Sequence, residues 1–155
     1  MKKTAMLLLL LCFLTSCPLL ISRISIYIDN KSTDTILVYL GNKSAPYPDT
    51  LLHPNYKYGT RVLPKNKVDD SPKGDSFEDF FKRYFKSDTG CVSIVSVDTI
   101  RKYGWEDVRA NHRVLVRYDL SYHDFMQLDR VIPYPPTPEM ANMKMWPPYK
   151  KIVRK

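Results

Sequence analysis

The sequence predicts a single α+β domain with a mixed β-sheet, in which an N-terminal β-hairpin is followed by a helix and a βαβ unit. Two observations support this class. Residues 24–41 carry the period-two alternation and β-forming residues that are typical of strands, whereas helix-like and strand-like segments alternate after residue 75. Residues 17–155 are enough for one domain with a hydrophobic core, but too few for two.

The first two strands are expected to form an antiparallel hairpin. Residues 24–28 (ISIYI) alternate between apolar and polar side chains, which is typical of a half-buried strand. Residues 35–40 (TILVYL) are rich in β-formers, and Gly41 ends the run. The intervening residues 29–34 (DNKSTD) have the composition of a turn. A turn between two such runs favours a hairpin.

The clearest helix is predicted over residues 76–86. Ser76 and Asp79 have the spacing of a capping box. Five aromatic residues share one face at helical spacing: Phe77, Phe80, Phe81, Tyr84 and Phe85. A continuous stripe of this kind predicts burial in the core, and the alternative interpretation is a platform for a ligand.

A βαβ unit is predicted next. Residues 91–97 (CVSIVSV) are apolar on both alternating faces, which favours a central strand covered on two sides. Asp98 is expected to cap the following helix, and Gly104 predicts a break within it. A strand returns over residues 113–118. Strand, helix and strand in this order predict a parallel, right-handed crossover.

The end of the chain is predicted to contain one more helix and one more strand. Ser121 and Asp124 have capping-box spacing before the helix over residues 122–128. A short strand follows over residues 130–134, and Pro133 restricts it to the edge of a sheet.

The N-terminus has the features of a secretory signal. Two lysines precede an apolar stretch over residues 5–13, and small residues follow in Leu14-Thr15-Ser16-Cys17. A cysteine directly after the boundary resembles the bacterial lipoprotein signal, which implies that Cys17 is lipidated and becomes the mature N-terminus. The alternatives are an uncleaved membrane anchor and a buried helix, but the apolar run is shorter than the roughly 20 residues of a membrane-spanning helix.

These features divide the chain into four parts. Residues 1–16 are a lipoprotein signal peptide, residues 17–23 a tether, and residues 24–135 the α+β domain. Residues 136–155 are expected to form a Pro-rich, basic C-terminal tail, as a disordered terminus or as a segment for a partner or a membrane interface.

Several segments resemble, in order and spacing, a family of small Bacteroidetes lipoproteins of unknown function. They are residues 47–51 (YPDTL), 97–99 (VDT), 103–108 (YGWEDV), 114–120 (VLVRYDL) and 128–135 (LDRVIPYP). The resemblance spans most of residues 24–135. It implies a bacterial cell-envelope location and a lipid anchor, but no activity. Surface-exported lipoproteins of Bacteroidetes tend to carry an acidic cluster behind the cysteine, and its absence here favours a periplasm-facing position.

The positive charge of the chain lies outside the predicted domain. The formal net charge is +8. Lys2 and Lys3 belong to the signal, and five further cations occur in a C-terminal stretch without acidic residues: Lys144, Lys150, Lys151, Arg154 and Lys155. The domain itself is nearly neutral, whereas a nucleic-acid-binding protein shows a basic face on its folded part. We therefore expect no nucleic-acid partner, and expect the tail to meet anionic lipid headgroups or water.

No arrangement of residues predicts catalysis. Cys91 is the one cysteine left beside Cys17 and Cys12, and it opens an apolar run in which a buried thiol is expected. The sequence contains no Gly-x-Ser-x-Gly motif, no clustered glycines and no metal-ligand motif. We therefore predict no catalytic residue, no metal and no cofactor.

Four residues are candidates for a ligand-binding site. Asp98 and Asp119 follow strands that, in a parallel sheet, would end at one rim. His112 and His123 lie close to them in sequence. Helix capping explains both aspartates equally well.

The predicted function is that of a non-enzymatic envelope lipoprotein, held in the membrane by Cys17, that binds or supports a protein partner. The alternatives are a carbohydrate- or small-ligand-binding module that uses Tyr and Trp side chains, and a thiol or hydrolytic enzyme built on Cys91 or a histidine.

Overall fold

The computed structural model describes residues 25–41, 52–70, 76–85 and 88–152. The signal, the tether and Cys17 lie outside the described residues. Within them there are eight strands: β1 (Tyr27–Asn30), β2 (Ile36–Gly41), β3 (Thr60–Val62), β4 (Asn66–Asp69), β5 (Thr89–Ser96), β6 (Val116–Ser121), β7 (Val131–Tyr134) and β8 (Lys144–Trp146).

The same residues form five α-helices: α1 (Phe77–Tyr84), α2 (Val97–Tyr103), α3 (Trp105–Ala110), α4 (Tyr122–Gln127) and α5 (Tyr149–Ile152). Two 3₁₀ turns complete the described structure, at Tyr56–Tyr58 and Pro138–Met140. In this part of the chain, no helix combines the length and the apolar character that crossing a membrane requires.

The strands form two sheets, and the predicted α+β class is confirmed. The larger sheet has the order β3-β2-β5-β6-β8, and all its neighbours are antiparallel. The smaller sheet has the order β4-β1-β7 and is mixed, because β1 is antiparallel to β4 and parallel to β7. β7 lies at an edge, as Pro133 predicted.

The main core joins one face of the larger sheet to the smaller sheet and to α1 and α4. The predicted aromatic stripe of α1 is part of this core, since Phe77, Phe80 and Phe81 are buried, as is Phe85 after the helix. The Phe81 and Phe85 rings each lie 5.8 Å from Phe125 of α4. The interpretation of the stripe as core is therefore confirmed, with only Tyr84 partly exposed.

A second, smaller core covers part of the opposite face of the larger sheet. Leu37, Tyr39 and Val95 on the sheet pack there with Leu52 and with Val108 of α3. β5 is thus the central strand and is buried on both faces, as its sequence predicted.

The predicted N-terminal hairpin is wrong, because β1 and β2 belong to different sheets. The Asn30 side chain holds the chain at the corner between them. Its Nδ2 donates to the carbonyl oxygens of Asp34 at 2.8 Å and Leu63 at 3.0 Å, and its Oδ1 accepts from the Ser32 amide at 3.1 Å. Alternation of apolar residues shows that a strand is half-buried, but it does not select the strand that pairs with it.

The predicted parallel crossover is also wrong, because β5 and β6 pair antiparallel. Gly104, with φ of 80°, separates α2 from α3. Each of these helices spans only about 10 Å, whereas β5 extends over about 27 Å. Neither helix can carry the chain back along β5, so the chain re-enters the sheet at the end where it left.

Residues 136–152 belong to the folded domain rather than to a tail. β8 pairs with β6 and closes that edge of the larger sheet. Met140, Met143 and Met145 are buried in the main core. The basic charge of this stretch masked its apolar positions, since the lysines point outward while the methionines fill the core.

Candidate functional site

The four predicted ligand-binding residues are divided between the two ends of the larger sheet. Asp98 follows the C-terminal end of β5, and His112 lies in the turn before β6, near that same end. Asp119 lies opposite Cys91, close to the start of β5, and His123 lies beyond the end of β6. The single rim that we expected depended on parallel strands, and the antiparallel pairing separates these residues.

Asp98 is a surface residue on α2. Its carboxylate accepts a hydrogen bond from Arg101 Nη1 at 3.0 Å, and both side chains are largely exposed. The predicted capping role belongs instead to Ser96, whose Oγ accepts from the amides of Asp98 and Thr99. The helix begins at Val97, so Ser96 occupies the N-cap position and Asp98 lies within the first turn.

Asp119 belongs to a buried ion pair that the sequence did not reveal. Val116, Tyr118 and Leu120 of β6 point into the main core, so Arg117 and Asp119 point to the opposite face. Arg117 Nε donates to Asp119 Oδ1 at 2.7 Å, and each side chain is only 1% exposed.

Two neighbouring groups complete this polar cluster. Lys144 of β8 places Nζ 3.3 Å from Asp119 Oδ2, and its side chain reaches solvent. Cys91 lies opposite Asp119, and Ser93 lies opposite Arg117. The alternation of apolar Val116 and Tyr118 with polar Arg117 and Asp119 was the available signal, but the predicted strand ended at residue 118 and placed Asp119 outside it.

The Cys91 thiol is not arranged for nucleophilic attack. It is 2% exposed, and its Sγ lies 3.8 Å from Ser93 Oγ. Burial raises the pKa of the Cys91 thiol, while the Arg117 charge acts in the opposite direction. Because the thiolate is the reactive form, this environment favours an inert thiol.

A more open site is built on the loop that precedes β3, and we call it the aromatic groove. It has a volume of about 450 Å³. Apolar side chains of β2 and α2, aromatic rings and two arginines line it: Leu37, Tyr56, Arg61, Val97, Ile100, Arg101 and Trp105.

Side chains from β2 and α3 fix this loop through its backbone carbonyls. Tyr39 Oη donates to the Tyr56 carbonyl oxygen at 2.7 Å. Trp105 Nε1 donates to the Pro54 carbonyl oxygen at 3.0 Å, and Arg109 Nε donates to that of Leu52 at 3.1 Å. Each donor belongs to a regular element, so the loop is held against rigid structure.

The rings beneath the loop are closely packed. Trp105 stacks on Tyr39 with ring centroids 5.3 Å apart and planes at 25°. Gly59 lets the chain approach these residues, because a Cβ there would lie 2.6 Å from Tyr39 Cζ and 2.7 Å from Leu37 Cγ. Sequence reasoning missed this site, since residues 41–75 carry no period.

The groove has a positive rim. Arg61 and Arg101 line the groove; Arg101 is paired with Asp98, but among the described residues no carboxylate lies within ion-pair distance of Arg61. Tyr56 and Tyr58 extend from the same segment, with exposures of 50% and 72%.

The part of the chain described by the structure contains no group of three His, Cys, Asp or Glu residues that could hold a metal ion. Carboxylates there form ion pairs with arginines instead, as Asp107 does with Arg113 and Glu106 with Arg109. The arrangement therefore offers contact surface and fixed charge rather than a set of converging ligands.

No protein-family model matches this chain, and neither a curated protein nor a solved structure matches it. The resemblance to Bacteroidetes lipoproteins therefore stays a prediction.

Proposed function

We propose that this protein is a non-enzymatic, lipid-anchored protein of the bacterial envelope that binds a protein partner through the aromatic groove. The observation that carries the proposal is the composition of the groove. Tyr, Trp and Arg side chains surround an apolar floor, and these three residue types dominate the binding energy of protein interfaces.

The fixed conformation of the loop supports a binding role. Carbonyls at Leu52, Pro54 and Tyr56 are all occupied by side-chain donors from β2 and α3. Ordering a loop on association costs free energy, and a loop that is already ordered avoids that cost. Tyr56 is therefore presented to a partner in a defined position.

The charge of the groove favours a partner with an acidic residue beside an apolar or aromatic anchor. Arg61 lines the groove and has no ion-pair partner among the described residues. Opposite charge on the partner would raise the association rate and fix its orientation. An acidic segment whose apolar side chain enters between Tyr56 and Ile100 satisfies both features.

Three observations support the non-enzymatic part of the proposal. The buried Cys91 thiol has a raised pKa and is inaccessible. The His53 ring already has a structural partner in the loop, because its Nδ1 accepts a hydrogen bond from the Asn55 amide at 3.0 Å. His123 lies on the exposed start of α4.

The membrane anchor is proposed from the signal over residues 1–16 and from Cys17. We expect the full chain, expressed in a lipoprotein-processing bacterium, to partition into the detergent phase and to carry the mass of acyl chains. The Cys17→Ala variant should lack that mass. Equal masses and equal partitioning of the two proteins would overturn the anchor.

The partner is tested by placing a photo-crosslinking amino acid at position 56 of the anchored protein in cells. Met126 on α4 is the matched control position, because it is also exposed and lies outside the groove. We expect a crosslinked protein at position 56 that is absent at position 126. That protein is then purified and its affinity measured directly.

Reversing the charge of a groove residue distinguishes specific docking in the groove from non-specific electrostatic association. Arg61→Glu should weaken binding of the purified partner about tenfold, since it places like charges in contact. Lys150→Glu makes the same change in net charge on α5 and should leave the affinity unchanged. Equal effects of the two variants, or none from Arg61→Glu, would contradict docking in the groove.

Glycan binding is a second candidate function, favoured by the exposure of the Tyr56 and Tyr58 rings. Such rings offer a flat apolar face with a polar hydroxyl at its edge. Titration with envelope glycans should then broaden or shift tyrosine ring signals in NMR spectra, and Tyr58→Ala should weaken binding. Unchanged ring signals throughout the titration would exclude this candidate.

A further inference from the structure

A second concave site lies on the other side of the Tyr56–Tyr58 turn, and we call it the Asp70 cleft. It forms where β2, β3, the end of β4 and α1 meet, and it has a volume of about 240 Å³. Three aromatic rings, one carboxylate, one hydroxyl and two aliphatic side chains line it: Tyr58, Phe80, Tyr84, Asp70, Thr60, Val38 and Leu40.

Asp70 is the only charged residue among those that line the cleft. Its Oδ1 accepts a hydrogen bond from Thr60 Oγ1 at 2.7 Å, which ties the first residue of β3 to the residue after β4. No described cation lies within ion-pair distance of this carboxylate. Partial burial raises the pKa of Asp70, the Thr60 hydrogen bond opposes this, and the nearby Asp69 charge raises it further, so that the net shift is upward. The cleft therefore holds a partly desolvated negative charge that a bound cation would stabilise.

The aromatic rings are fixed around that charge. Tyr84 Oη donates to the Leu40 carbonyl oxygen at 3.0 Å, and its ring stacks on Phe80 with centroids 5.1 Å apart. Tyr58 is 72% exposed and stands at the mouth. The faces of such rings carry negative charge density and attract ammonium groups.

We propose that the Asp70 cleft binds a small organic ammonium group, primary or quaternary. The carboxylate supplies the countercharge, and the ring faces of Tyr58, Tyr84 and Phe80 supply contact for the methylene or methyl groups. An anionic ligand is disfavoured by Asp70. A divalent metal is disfavoured because one carboxylate and one hydroxyl are far fewer oxygen ligands than calcium or magnesium takes.

The test is a calorimetric titration of the full protein with choline, with ethylammonium and with the neutral tert-butyl isostere of choline. The isostere has the shape of choline without its charge. We expect both cations to bind in the millimolar range and the isostere to bind at least about tenfold more weakly, because the ring and carboxylate attractions both require charge. Equal affinities for choline and its isostere would overturn the proposal.

Variants locate the binding within the molecule. Asp70→Asn keeps the size of the side chain and should weaken choline binding about tenfold, since it removes the countercharge. Asp69→Asn removes the same charge one residue earlier, outside the cleft lining, and should weaken the affinity clearly less than Asp70→Asn does, because that charge acts only from a distance. Tyr58→Ala removes a largely exposed ring whose centroid lies 4.2 Å from that of His53, and should weaken binding about threefold. Binding that survives both Asp70→Asn and Tyr58→Ala would place the cation elsewhere.

The ammonium group could come from a free amine or from a phospholipid headgroup. Glycerophosphoethanolamine carries the headgroup ammonium together with its phosphodiester. Tighter binding of this compound than of ethylammonium assigns the cleft to headgroups, and the reverse order assigns it to free amines. No binding of any of these cations would refute the site. The test does not depend on the aromatic groove, so the two proposals can fail separately.

Discussion

The two faces of the larger sheet differ in the kinds of side chain that they bury. One face is apolar and packs against α1, α4 and the smaller sheet. The other face is apolar only beneath α2 and α3, and it buries Arg117 and Asp119 beside them. Apolar burial stabilises a fold directly, whereas burial of two charges carries a desolvation cost that their attraction only offsets. The first face therefore supplies most of the apolar burial that stabilises the fold, whereas the second face places Tyr39 and Trp105 beneath the loop of the aromatic groove.

The strongest test of the comparison is a cavity in the apolar face. Phe85 is fully buried and lies 4.9 Å from Phe81 and 5.7 Å from Phe80, measured between ring centroids. Phe85→Ala should lower the free energy of unfolding by about 4 kcal/mol, because it removes the ring and leaves a void. Urea denaturation followed by circular dichroism measures the change.

The control for this cavity is Met126→Ala on the exposed surface of α4. This variant should change the free energy of unfolding by less than about 0.5 kcal/mol. A loss from Phe85→Ala as small as that would show that the apolar face is not the main source of stability.

The polar face is tested by breaking the ion pair. Asp119→Asn leaves the Arg117 guanidinium buried without its opposite charge, so we expect a loss of about 3 kcal/mol. The double variant Arg117→Met with Asp119→Leu should recover most of that loss, because apolar side chains of similar size need no countercharge. Both are measured by urea denaturation. A double variant no more stable than Asp119→Asn would mean that the pair contributes net stability.

A smaller loss of stability is expected from weakening the contact between Trp105 and the loop. Trp105→Phe keeps an aromatic ring against Tyr39 but removes the indole donor to Pro54 and His53. We expect a loss of about 1 kcal/mol in the free energy of unfolding. Amide hydrogen exchange over residues 52–58 should accelerate while exchange in β5 stays unchanged. Uniform acceleration in both segments would indicate global destabilisation rather than release of the loop.

The smallest effect concerns pH. The pKa of Asp70 is raised in the folded protein, first by burial. Its contribution to stability is therefore fully present below the ordinary pKa of an aspartate, and is lost as pH rises through the raised value. The difference in free energy of unfolding between the wild type and Asp70→Asn should decline in this way from about pH 3 to about pH 7, because the difference isolates Asp70 from the other titrating groups. Identical profiles would show that the carboxylate is solvated.

Local features of the fold could be predicted from the sequence because their partners lie within a few residues. The capping box at the start of α4 is present, with Ser121 Oγ accepting from the Asp124 amide at 3.1 Å and Asp124 Oδ2 accepting from the Ser121 amide at 2.8 Å. The break at Gly104 and the buried stripe of α1 follow equally from short-range spacing.

Only the tertiary structure decided how the strands pair and where the sites form. Three contacts join residues far apart in sequence. They are the hydrogen bond from Asn30 to Leu63, the pairing of Arg117 with β5 and β8, and the hydrogen bond from Trp105 to the Pro54 carbonyl. The alternation of apolar and polar residues within a strand is the same whichever strand pairs with it. The sequence of a loop without periodicity does not indicate which distant side chains hydrogen-bond to its backbone. The sequence by itself therefore determined the helices α1 to α4, the buried strands and the α+β class. The sheet order, the aromatic groove and the Asp70 cleft depend on long-range contacts that no local pattern encodes.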